Sequence, residues 1–136
     1  MSEALTAYVR DVADRMGLRD WRFAVSDAPG DEPENAVDGA RCATFAGTFG
    51  RRYGYLWVNM EYWRAATPEE RRQTIVHELL HAHQHGAREI VLQLTTVHPA
   101  RTAAALRGVY DTQVEYAIDA VADALALAMP LPPEGC

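Results

Sequence analysis

Lysine is absent from this chain, and all 13 of its cations are Arg. They face 19 Asp and Glu, which leaves a formal net charge of -6. A surface that holds phosphates needs a surplus of cations, so this balance argues against nucleic acid as a partner. Cysteine is scarce: Cys42 and Cys136 make no disulfide framework, and CxxC metal spacing is missing. Long apolar runs are missing too. The opening MSEALTAYVRDVADRMG mixes charge with apolar residues and lacks the core of a signal peptide. No stretch is long enough to cross a bilayer. The expectation is a protein kept in the cytoplasm, with no membrane partner. There are no internal repeats and no second composition block, so residues 1–136 read as a single domain.

What is present suits that size. Hydrophobic residues make up 49% of the 136, enough for one core, and the 24% charged content is ordinary for a globular chain. Leu5, Tyr8, Val9, Val12 and Met16 recur at helical spacing between a Ser2 cap and a Gly17 stop. Trp21, Phe23 and Val25 alternate as a strand does, and the acidic, Pro- and Gly-rich residues 27–39 read as a loop. Two more strands are expected at 41–49 and 53–60, joined across Gly50-Arg51-Arg52, with the small-residue 41–49 at an edge. Thr67-Pro68-Glu69-Glu70 is a capping box with Pro at the first helical position. That helix is expected to end near His85, with Gly86 as its stop, before a less regular segment to Pro99. An Ala-rich helix should follow from about Thr102 to Met129, broken near Gly108.

The capped helix contains His77-Glu78-Leu79-Leu80-His81, an H-E-x-x-H sequence. His81 lies about 40° round from His77 and about 6 Å along the axis. Two imidazoles so placed reach one Zn²⁺. Glu78 lies about 100° round, badly placed as a ligand but able to touch a water there, which suits a general base. Ile75, Val76, Leu79, Leu80 and Ala82 fall on the opposite face, giving the helix a core side and a site side.

A zinc peptidase needs a third protein ligand and an open position for water. His85 is about 12 Å from His77 along the axis, too far to share one ion with both histidines. His83 points toward the core face and reads as a packed or supporting histidine. A third metzincin histidine would stand at position 87, which is Ala87. Glu115 is the better candidate. It shares a face with Asp119, four residues on, in a helix otherwise rich in Ala, Ile, Val and Leu. Glu115 is expected on the metal, and Asp119 on the other ring N–H of a ligand histidine.

HELLH followed by ExxxD on a second helix resembles the gluzincins, the thermolysin clan of zinc metallopeptidases. The resemblance covers about residues 41–128 and is carried by His77, Glu78, His81, Glu115 and Asp119. The ending AVADALALAMP, at this small size, is similar to the ImmA/IrrE group of short zincins, with a longer glutamate-to-Met-Pro spacing and no Phe. The resemblance implies an α+β minimal zincin: a small three-stranded, mostly antiparallel sheet packed on the H-E-x-x-H helix and a following glutamate-bearing helix. It implies one Zn²⁺ per chain, held by His77, His81 and Glu115, with Asp119 supporting the first histidine. The expected activity is hydrolysis of protein or peptide substrates, by an endopeptidase rather than an exopeptidase.

In that chemistry the zinc lowers the pKa of its water toward ~7, and Glu78 carries the proton from water to leaving amine. Tyr110, Tyr116, His98 and Arg101 are candidate oxyanion donors, and Tyr110, at the expected helix break, is preferred. The outward groups of an edge strand at 41–49 could hold an extended peptide. Two alternatives remain open from sequence. One is a SprT-like zincin with His98 as third ligand; the other is a metal-binding regulatory module with little turnover.

Overall fold

The computed structural model describes residues 3–33 and 42–136; the expected Ser2 cap and most of the acidic loop lie outside the described residues. Helix α1 (Glu3–Arg15) buries Leu5, Tyr8, Val9 and Val12, the predicted stripe. Its end is built by Gly17 at φ 78°. The Leu18 N–H reaches the Ala13 carbonyl at 2.9 Å and the Gly17 N–H that of Asp14 at 3.2 Å, which closes the last turn as a Schellman motif.

Strands β1 (Arg22–Ser26), β2 (Ala43–Gly47) and β3 (Tyr53–Val58) form one sheet in the order β1-β3-β2. The expected antiparallel pairing holds for β2 with β3, while β1 joins β3 in parallel, so the sheet is mixed. Strand β2 is an edge, as its small residues suggested. Side chains alternate across β3: Leu56 and Val58 enter the core, while Tyr55 and Trp57 turn to the other face. There the Tyr55 hydroxyl donates to the Asp31 carbonyl at 3.0 Å and the Trp57 indole to that of Ala28 at 2.9 Å. The loop after β1 thus covers the outer face of the sheet.

A short helix α2 (Met60–Ala65) follows, capped by Asn59, and it buries Trp63 completely. Helix α3 (Pro68–Thr95) starts with the predicted capping box: the Glu70 N–H donates to Thr67 Oγ1 at 3.2 Å and the Thr67 N–H to Glu70 Oε2 at 2.7 Å. Its end is a correction. The helix passes through Gly86 without interruption and stops only at Thr95. Gly86 lacks the positive φ of a helix stop, and one glycine costs a helix only about 1 kcal/mol against Ala. Helix α4 (Ala100–Ala126) likewise runs unbroken through Gly108, where the Thr112 hydroxyl donates back to the Gly108 carbonyl at 2.9 Å instead of starting a new helix. It begins and ends two or three residues before the expected bounds.

The apolar faces meet in one cluster of Val9, Val12, Leu56, Val58, Trp63, Ile75, Val76 and Leu79, joined by Ile118 and Ala122 of α4. The tail after α4 folds back on it. The Tyr8 hydroxyl donates to the Pro130 carbonyl at 3.0 Å and the Trp63 indole to that of Cys136 at 2.9 Å. Neither Cys42 nor Cys136 takes part in a disulfide. Among the described residues no helix is long and apolar enough to cross a membrane.

Candidate metal centre

Helices α3 and α4 form an antiparallel hairpin with its turn at residues 96–99. Gln73 meets Asp123, His77 meets Asp119 and His81 meets Glu115. Within each pair the two residues stand equally far in sequence from His98. Helices with one rise per residue, joined at a turn, must set such residues level with each other. The hairpin therefore carries the two carboxylates of α4 to the two histidines of α3.

The His77 and His81 rings sit edge to face with centroids 5.1 Å apart. His77, Glu78 and His81 each offer a ligand atom within 4.8 Å of the others'. From α4, Glu115 Oε2 lies 3.4 Å from His77 Nε2 and Oε1 lies 3.4 Å from His81 Nε2. On the far side of the first ring, Asp119 Oδ1 is 3.0 Å from His77 Nδ1. This is an ordinary hydrogen-bond length, whereas 3.4 Å exceeds the usual range for N–H···O.

That difference bears on what the cluster holds. With the Nδ1–H of His77 donating to Asp119, a neutral ring presents the Nε2 lone pair to a carboxylate. Two acceptors facing each other repel unless a proton or a metal cation lies between them, and 3.4 Å is long for a proton-bridged pair. Ligands held about 2.0–2.1 Å from a tetrahedral zinc lie about 3.3–3.4 Å apart, which matches both contacts to Glu115. The donor set of two imidazoles and one carboxylate is also a known zinc set. The residues fit a divalent metal such as Zn²⁺. This is an H-E-x-x-H site of zincin type.

Glu78 is in a different setting from Glu115. It is only 4% exposed, and its Oε2 accepts the Phe45 N–H of β2 at 2.8 Å. The edge strand thus reaches the carboxylate beside the histidine pair. The side chain of Glu115 is 34% exposed and that of Asp119 65%, so the site opens toward solvent on the α4 side.

The other sequence candidates lie elsewhere. His83 is exposed rather than packed in the core; its Nε2 lies 2.9 Å from the Met16 carbonyl at the end of α1. His85 Nε2 bonds the Thr48 carbonyl at 3.1 Å and Glu89 at 3.0 Å. His98 is exposed in the hairpin turn, beyond Thr95, which is itself about 21 Å along a continuous helix from His81. It cannot complete the His77–His81 site, and the alternative that uses it as third ligand falls with the longer helix. The Tyr110 hydroxyl is buried without a hydrogen-bond partner, and burial pushes its pKa up. It neighbours Arg88, about two turns past His81, and no contact ties it to the histidines. Sequence reasoning missed the Phe45 N–H, because a backbone donor has no residue signature.

Comparison of the chain with protein-family models, with curated proteins and with solved structures gives no match. The zincin-type site is therefore read from its own side chains.

Proposed function

We propose that the protein is a zinc-dependent peptidase of the gluzincin kind, with His77, His81 and Glu115 as metal ligands and Glu78 as general base. The observation that carries this reading is the placement of both Glu115 oxygens at 3.4 Å from the two Nε2 atoms. A bound zinc would polarise the scissile carbonyl and acidify a water. Glu78, one residue along from His77, would take the proton of a water held there and return it to the leaving amine nitrogen. The Phe45 N–H holds one carboxylate oxygen of Glu78, which limits its rotation and aims the other. Asp119 accepts the Nδ1–H of His77 and so fixes the tautomer that offers Nε2 to the metal. Peptide substrates suit the arrangement because a base that takes a proton from water and returns it to an amine nitrogen is what amide hydrolysis needs. The run AVADALALAMP makes the ImmA/IrrE group of short zincins the finer part of this proposal.

Metal analysis with a base substitution tests the reading. The purified protein should carry one zinc per chain. Glu78→Gln should keep that zinc and lose hydrolysis of a fluorogenic casein, while His77→Ala, His81→Ala and Glu115→Ala should lose or strongly weaken zinc. Loss of zinc in Glu78→Gln would make Glu78 a ligand. Retention of full affinity in Glu115→Ala would remove the gluzincin ligand set.

A further inference from the structure

Glu78, His85 and Glu89 make a row on α3 that addresses β2 and the turn after it. Glu78 accepts the Phe45 N–H at 2.8 Å, His85 Nε2 donates to the Thr48 carbonyl at 3.1 Å, and Glu89 accepts the Gly50 N–H at 2.5 Å. The spacing explains why one row serves all three. Residues seven and eleven positions after Glu78 fall within about 20° of it round the helix. Along the axis, Glu78 to His85 is about 10.5 Å, and Phe45 to Thr48, one residue past the end of β2, is about 10 Å of extended chain. Strand and helix therefore keep step over this length.

The contacts at His85 and Glu89 also support each other. Glu89 lies 3.0 Å from His85 Nε2 while it holds Gly50. The ring of His85 lies so close over Gly47 that a Cβ there would collide with it. The His85 ring also packs edge-on against Trp21 and Phe45, with centroids 5.5 Å and 6.5 Å away, so packing and these bonds act together. Below α3 at this level is a cleft of about 530 Å³, with His85, Glu89 and Gly50 on its wall. The Glu89 carboxylate spans from the helix to the turn there.

We propose that His85 and Glu89 are positioning residues for Glu78. They fasten the far end of β2 to α3, so that the Phe45 N–H stays on the Glu78 carboxylate. An edge strand has a ladder on one side only, here with β3, and its other side is held by this row. Releasing the Thr48 and Gly50 contacts lets β2 shift against α3, and the Phe45 bond loosens. The catalytic consequence rests on the reading of Glu78 as base; the mechanical one does not.

The test is amide hydrogen exchange by NMR on the full-length, zinc-loaded chain, with zinc affinity and casein hydrolysis measured alongside. In His85→Ala and Glu89→Ala, exchange at Phe45 and Gly50 should quicken about tenfold or more, the equivalent of one hydrogen bond to a charged group. Amides in the β1–β3 ladder should not change. Gly47→Ala, which pushes the His85 ring away, should reproduce the effect. His85→Gln and Glu89→Gln, which keep a donor and an acceptor, should restore most of the protection. Zinc affinity should stay within about twofold, since no proposed ligand is touched, while kcat falls and KM holds. Unchanged exchange at Phe45 would overturn the proposal. So would acceleration spread through β1 and β3, which would mark general loss of stability. Failure of the peptidase reading shows separately, as a wild-type protein without zinc or without hydrolysis.

Discussion

Asp119→Ala separates a supporting carboxylate from a metal ligand. Asp119 Oδ1 lies 3.0 Å from His77 Nδ1, so its removal deletes one hydrogen bond to the ring and leaves all three proposed ligands in place. Loss of such a partner lowers metal affinity by about 10–100-fold. The side chain of Asp119 is 65% exposed, and water can replace its oxygen on the Nδ1–H. That places the expected effect at the lower end, about tenfold, or about 1.4 kcal/mol. Asp119→Asn, which keeps an acceptor oxygen but no charge, should fall between wild type and Asp119→Ala. Asp123→Ala is the control. Its carboxylate takes the Gln73 amide at 2.5 Å, one turn further along the hairpin, and touches no histidine. Zinc competition against a chromogenic chelator reads all three variants at one zinc per chain. Equal affinities for wild type and Asp119→Ala would refute the role. A full loss of zinc would refute it in the other direction, by making Asp119 a ligand.

Two further predictions concern α4. Tyr110→Phe removes a buried hydroxyl that has no partner, so stability should hold or rise by about 1 kcal/mol on thermal unfolding. Hydrolysis should be unchanged as well; a loss of tenfold or more would restore Tyr110 as the oxyanion donor that its place in the sequence suggested. Excision of residues 90–96 together with 100–106 removes seven residues on each side of the hairpin turn, keeps residues 97–99 of that turn, and leaves His81 level with Glu115. That variant should still bind zinc, whereas excision of 100–106 alone slides Glu115 by about 10 Å and should abolish stoichiometric binding.

Local chemistry was legible in the sequence where a few neighbouring residues specify it. Thr67 to Glu70 contain both partners of the capping box, and Gly17 supplies the φ of 78° that ends α1. The alternation that sends Leu56 and Val58 inward is a property of β3 alone. The ends of the long helices were not legible in this way. Gly86 and Gly108 look like stops because glycine is a weak helix former, but a helix that packs on a neighbour tolerates a cost of about 1 kcal/mol. Helix α2 was missed because six residues hold too few turns to show a period. The parallel pairing of β1 depends on where the chain goes between two strands, which no strand's own pattern records.

The metal site shows the same division at finer scale. His77, Glu78 and His81 are one turn of one helix, and their spacing alone brings the two rings together. Glu115 and Asp119 share a face for the same reason, but nothing within α4 says which residues of α3 that face will meet. The hairpin turn decides it, because an antiparallel pair sets residues level at equal distance from the turn. Had α3 ended at Gly86, as its glycine suggested, the chain would have reversed about a dozen Å nearer to the histidines. Level matching would then have put earlier residues of α4 against His77 and His81, and the carboxylate pair beyond them. The continuation to Thr95 is thus more than a longer helix. It is what sets the two acidic residues of α4 at the height of the two histidines.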